Sequence, residues 1–113
     1  MDDSLRARQE AAAKNQALFR EVNERIEQIG IAVEEQVDFV CECLDIDCSA
    51  YVPLATAQYE SLRQSGGDRF VVIHGHEDPE VEVVVAEHER YLVVEKIEAG
   101  GDLAKALDRR PPA

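Results

Sequence analysis

Apolar residues recur every three or four positions in the first third of the chain. Phe19, Val22, Ile26, Ile29 and Val33 fall on one stripe, which is the spacing of an amphipathic helix. The stretch from Leu5 to Lys14 is built from strong helix formers. Ser4 is placed to cap that helix, with Asp2 and Asp3 adding favourable charge at its start. Glu10 with Lys14, and Glu21 with Arg25, are spaced for helical ion pairs. A long helix is therefore predicted, ending at Gly30 or running on to Glu35. The second half of its stripe is expected to cover the protein's own sheet. The segment before Phe19 has little to bury beyond Leu5 and alanines, and is expected to project into solvent or to order on a partner.

Beyond the helix the apolar runs become short and rich in valine, which favours strands. Val37 to Cys43 reads as a strand, 44–47 as a turn, and Cys48 to Val52 as the returning strand. Pro53 should stop that strand or hold it at an edge. Thr56 to Gln64 reads as a short helix capped by Thr56, with Tyr59, Leu62 and the stem of Arg63 facing inward. Ser65-Gly66-Gly67-Asp68 breaks it. Arg69 to His74 is a strand and Gly75 to Pro79 a loop. Val81 to Val85 and Tyr91 to Lys96 form a hairpin about 88–90. Gly100-Gly101 reads as another break, followed by a short helix from Leu103 to Leu107 capped by Asp102. Pro111-Pro112 opens a loose tail. The fold class is α+β: a long N-terminal amphipathic helix, a small antiparallel sheet of about five short strands, and two short helices. The organisation is 1–36 helix, 37–110 cysteine-bearing α+β unit and 111–113 tail, one domain overall, as 113 residues suggest.

Composition narrows the function. Twenty-four acidic residues face twelve basic ones, a net charge of −12, which repels phosphate backbones. The sequence holds no basic patch, Arg109-Arg110 being too short, so no direct nucleic-acid partner is expected. The acidic N-terminus lacks the apolar run of a secretory leader. No stretch reaches the ~20 apolar residues of a membrane span. A cytoplasmic location is expected. In a reducing compartment three clustered cysteines read as metal ligands or thiols rather than as a disulfide framework.

Cys41, Cys43 and Cys48 are spaced C-x-C-x4-C. Residues two apart on a strand share a face, so Cys41 and Cys43 converge, and a tight turn returns Cys48 beside them. Zinc takes four tetrahedral ligands, usually thiolates and imidazoles. The fourth is expected from His76, in the loop after the next strand, or from His74 at its end. A closed structural zinc site of three cysteines and one histidine ranks first. Thiols buried as small apolar groups rank second. Redox chemistry ranks third, because Glu42, Asp45 and Asp47 would raise the thiol pKa values. His74-Gly75-His76-Glu77-Asp78 also fits H-x-H-x-D, the opening of the metallo-β-lactamase metal motif. Pro79 stands where that motif needs a further histidine, and the chain is short for the fold, so the match is read as coincidence. The acidic run Glu77, Asp78, Glu80 and Glu82 could serve a hard cation with Asp45 and Asp47, but is read as a solvated face.

The segments Leu18 to Ile26, Phe39 to Cys43 and Gly75 to Val81 resemble those of a family of small uncharacterised bacterial proteins that pair a leading helix with a cysteine-bearing domain. The resemblance departs most between Gly30 and Val37. It implies a bacterial origin and Cys41, Cys43, Cys48 and His76 as one site. It implies no activity.

These readings point to a small acidic binding or regulatory module stabilised by structural zinc. Its N-terminal helix would dock on a protein partner or on a second copy. The alternatives are an enzyme using the cluster as a metal or thiol site, and a zinc carrier or sensor with weak, reversible binding. An enzyme is the less favoured, since few aromatics argue against a deep pocket.

Overall fold

The computed structural model describes residues 3–30, 36–45 and 47–110. A long helix α1 (Asp3–Gly30) leads into strands β1 (Val37–Val40) and β2 (Tyr51–Leu54). Helix α2 (Thr56–Ser65) and strand β3 (Arg69–Val72) follow, then β4 (Glu82–Glu87), β5 (Leu92–Lys96) and α3 (Glu98–Ala106). The class is α+β with five short antiparallel strands, as expected, but they divide between two sheets. One is the β1–β2 hairpin and the other has the order β3–β5–β4. A backbone bond from the Glu42 N–H to the Val71 carbonyl, 2.7 Å, ties the two together. Pro53 lies within β2, opposite Asp38. A two-stranded sheet is all edge, so proline's missing donor is tolerated there. Among the described residues no helix is long and apolar enough to cross a membrane.

The core rests on small aliphatics from both sheets and on one aromatic pair. Phe39 stacks on Tyr59 with ring centroids 4.5 Å apart, among buried Val52, Leu54, Val71, Val72 and Val94. Tyr59, Leu62 and Arg63 of α2 face inward as expected. Ala55 precedes that helix, and its N–H donates to Gln58 Oε1 at 2.9 Å, so the cap comes from Gln58 and not from Thr56.

Helix α1 packs the opposite way from its apolar stripe. Val22 is 47% and Ile29 76% exposed, and only Ile26 of the stripe packs against the core. Val33 lies outside the described residues. The buried face is Gln9, Ala13, Gln16, Arg20, Asn23 and Glu27. Burying polar groups is tolerated when they find partners. Arg20 donates to the carbonyls of Gly67 (2.6 Å) and Ala104 (3.0 Å) and lies over the Phe70 ring, 4.8 Å from its centroid. The segment before Phe19 does not project into solvent: Gln9, Ala12, Ala13, Gln16 and Ala17 are buried. Ser4 falls inside the first turn, since the helix already includes Asp3. The expected ion pairs are also replaced. Glu10 pairs with Arg6 at 3.1 Å and Glu21 with Arg109 at 2.7 Å. The choice of Gly30 or Glu35 as the exit touches residues 31–35, outside the described ones.

Gly100-Gly101 does not break the chain; both lie within α3. A Cβ on Gly100 would meet the Gln9 carbonyl oxygen at 2.9 Å, and one on Gly101 the Lys96 carbonyl oxygen at 2.9 Å. Glycine is therefore what lets α3 close against α1 and β5. Asp102 is exposed within the helix and caps nothing.

Candidate metal centre

Three loops meet beyond the end of the β1–β2 hairpin. The ladder continues one step past Val40, with the Cys41 N–H donating to Ala50 O at 3.1 Å. Strand alternation then sends Cys41 and Cys43 to one side and Glu42 to the other. The hairpin loop tightens after Cys43. The Asp47 N–H donates to the Asp45 side chain at 2.9 Å and the Cys48 N–H to the Asp45 carbonyl at 3.0 Å, which turns Cys48 back toward its neighbours. From the second sheet, the turn after β3 closes with the His76 N–H donating to Ile73 O at 3.1 Å. Gly75 sits at φ +89 within it, a conformation that favours glycine.

These turns place the donor atoms of Cys41, Cys43, Cys48 and His76 within 4.8 Å of one another. His76 Nδ1 lies 3.7 Å from Cys41 Sγ and 3.5 Å from Cys48 Sγ. A tetrahedral zinc with Zn–S near 2.3 Å and Zn–N near 2.0–2.1 Å has an S···N edge of about 3.6 Å. The geometry of the group therefore fits one metal ion held by four protein ligands. Cys41 and Cys43 are buried, while Cys48 and His76 are half-buried.

The surroundings suit metal-bound thiolate. The Ile73 N–H donates to Cys41 Sγ at 3.3 Å, the kind of bond that orients a ligand and stabilises its charge. Burial pushes the Cys41 and Cys43 thiols above their ordinary pKa, and the neighbouring Cys48 pushes the same way at both; the Ile73 N–H counters this at Cys41. Without a cation both remain protonated and poor nucleophiles. A bound metal would displace those protons.

His74 goes elsewhere: its Nε2 is 2.7 Å from the His88 carbonyl and the side chain is exposed. His88 stacks on Tyr91. The acidic run is engaged locally. Glu77 accepts from the Gly75 N–H, Asp78 accepts from the Glu80 N–H, and Glu82 is buried against Lys96 at 3.0 Å. Among the described residues these carboxylates form no metal-holding group.

Glu42, expected beside the thiols, lies on the far side of the same strand. It is fully buried, and its carboxylate accepts from Asn23 Nδ2, the Tyr59 hydroxyl and the Val71 N–H, each at 2.9 Å. Burial raises its pKa against those bonds. The signal available in sequence was the alternation Cys41-Glu42-Cys43, which forbids Glu42 from sharing the thiols' face.

No family model matches the chain, and no curated protein or solved structure matches it.

Proposed function

We propose that the chain is a small binding or regulatory module whose two sheets are locked together by a structural zinc ion on Cys41, Cys43, Cys48 and His76. The observation that carries this reading is the pair of S···N distances, 3.5 and 3.7 Å, which match the S···N edge of a tetrahedral zinc site, with Cys43 in the same group. All four positions are filled from the chain, which leaves no open position for substrate and favours a structural role over a catalytic one. Burial raises the pKa of Cys41 and Cys43, which disfavours redox use of those two thiols. The outward stripe of α1, with Leu18 57%, Val22 47% and Ile29 76% exposed, supports docking on a protein partner or on a second copy. Kinship with the small bacterial proteins and a cytoplasmic location belong to the same reading.

Cobalt substitution tests it. A closed site of three thiolates and one imidazole gives the intense visible spectrum of tetrahedral cobalt with thiolate charge transfer at one equivalent. His76→Ala, which admits water, shifts that spectrum and weakens binding, whereas His74→Ala leaves it unchanged. A pale, six-coordinate spectrum, or equal effects of the two histidine variants, would contradict the site. Tight binding on which folding depends separates a structural site from a carrier or sensor.

A further inference from the structure

The fold gathers arginines that lie far apart in the sequence around one cavity. A surface cavity of about 370 Å³ is bounded by α1, α2 and the segment after α3. Five arginines line it: Arg20 and Arg25 from α1, Arg63 from α2, and Arg109 and Arg110 beyond α3. Three carboxylates, Glu21, Glu24 and Asp108, also line it. Glu27 and Glu60 stand behind Arg110 and offset the remaining charge, so the cavity is locally near neutral in a chain whose net charge is −12.

Several arginine donors there are unused. Arg63 gives Nε to Glu24 at 2.5 Å and Nη2 to Asp108 at 2.6 Å. Its side chain is only 2% exposed, and its Nη1 is buried with no hydrogen-bond partner. A buried guanidinium nitrogen without an acceptor is costly, and this one is sealed from solvent, so it lies behind the cavity wall and not on its surface. Arg109 uses Nε on Glu21, 2.7 Å, and leaves the far end of its fork open. Arg25 has no hydrogen bond or ion pair among the described residues. Arg110 differs, being held by Glu24, Glu27 and Glu60, and serves as a wall. The three carboxylates are already engaged by arginines and so are not free to repel an incoming anion at full strength.

We propose that this cavity is a binding site for a small-molecule oxyanion, a carboxylate or phosphate group taken by the open donors of Arg25 and Arg109, with Arg63 behind them holding Glu24 and Asp108 in place. Planar guanidinium forks match both groups in bidentate fashion, and the volume is that of a small-ligand pocket. The site is separate from the metal centre, whose ligands do not line the cavity.

The test is a titration of the folded, full chain with inorganic phosphate and, separately, with citrate, at constant ionic strength, followed by amide NMR shifts. The expected result is saturable shifts at Arg25, Leu107, Asp108 and Arg109 with at least one anion, the tighter of the two naming the head group. Arg63→Gln removes a buried ion-paired side chain and endangers folding, so the informative variant is Arg25→Gln with Arg109→Gln, both near the surface. It should weaken binding about tenfold or more, from the loss of charge-assisted hydrogen bonds, while Lys14→Gln should not change it. Absence of saturable shifts with both anions, or binding unaltered in the double variant, would overturn the proposal.

Discussion

Asn23 does with one side chain what a neighbouring strand would do. Its Nδ2 donates to the Val40 carbonyl at 2.8 Å and its Oδ1 accepts the Val40 N–H at 2.7 Å, which satisfies the free edge of β1. The same Nδ2 reaches the buried Glu42 carboxylate, so one amide joins α1 to the residue between Cys41 and Cys43 of the candidate metal centre. Asn23→Leu keeps the volume but strands both Val40 backbone groups and removes one of the two donors to Glu42 Oε2, which keeps the Tyr59 hydroxyl. We expect a loss of roughly 2–5 kcal/mol in urea unfolding; a loss below ~1 kcal/mol would show that α1 is held elsewhere. Titration at this scale should be visible as well. Burial pushes Glu27 up to about 7, and the hydrogen bond and charge of Glu60 add to the effect against Arg110. The same pair, with Arg110 leading, holds Glu60 down to about 2. A carboxyl whose folded pKa is raised contributes stability that is fully present below its ordinary value and is lost as pH rises through the folded value. Unfolding free energy should therefore decline between about pH 4.5 and 7 from Glu27, while the Glu60 contribution is lost only on acidification from about 4.5 toward 2. Glu27→Gln should flatten the decline near neutrality. The Glu27 carboxyl also helps hold Glu60 down, but Arg110 is the leading cause there, so the acid limb should change less. An identical pH profile would place the proton elsewhere.

Elements reveal where sequence reading succeeds and where it fails. The strands were legible because valine runs bounded by Gly, Pro and Asp leave few alternatives, and the cysteine–histidine group was legible because spacing constrains it. The orientation of α1 was not. Periodicity identifies a helix, yet two faces shared the period: the apolar stripe, and a polar set at heptad spacing, Gln9, Gln16 and Asn23 beside Ala13, Arg20 and Glu27. Transfer energies favour burying the first face. The second is buried because its hydrogen bonds are made to strand edges, loop carbonyls and Glu42, partners that exist only in the folded molecule. Gly100-Gly101 was misread for a related reason. Glycine disfavours helix by about 1 kcal/mol per residue, but here contact with α1 requires it. Gly100→Ala should therefore destabilise by roughly 1–3 kcal/mol despite its better helix propensity, since the added methyl meets backbone at 2.9 Å. Stabilisation in denaturant unfolding would contradict that packing.

The molecule as a whole joins a polar-lined helix, two small sheets and a candidate metal centre that bridges them. Its outward surface keeps two apolar strips, the Leu18–Val22–Ile29 face of α1 and the exposed Val83, Val84 and Val85 of β4. Replacing Leu18 and Ile29 together by Glu should leave the unfolding midpoint nearly unchanged, because neither side chain is buried. It should abolish any concentration-dependent dimer seen by light scattering; a large loss of stability would instead mean that the stripe packs within the fold. The centre itself has a different burden. On the proposed reading, with few aromatics and short strands, the loops that carry Cys41, Cys43, Cys48 and His76 depend on a bound metal for their relative placement. For a domain of this size each kcal/mol is worth about 4–8 °C, so chelation should lower the midpoint by ~10 °C or more. The most direct measurement is the metal content of protein purified without added zinc, taken with its unfolding curve and compared with Cys48→Ser. The account predicts one zinc per chain, lost in the variant together with cooperative folding. Protein that purifies without metal and still unfolds cooperatively, at a midpoint that Cys48→Ser leaves unchanged, would contradict it.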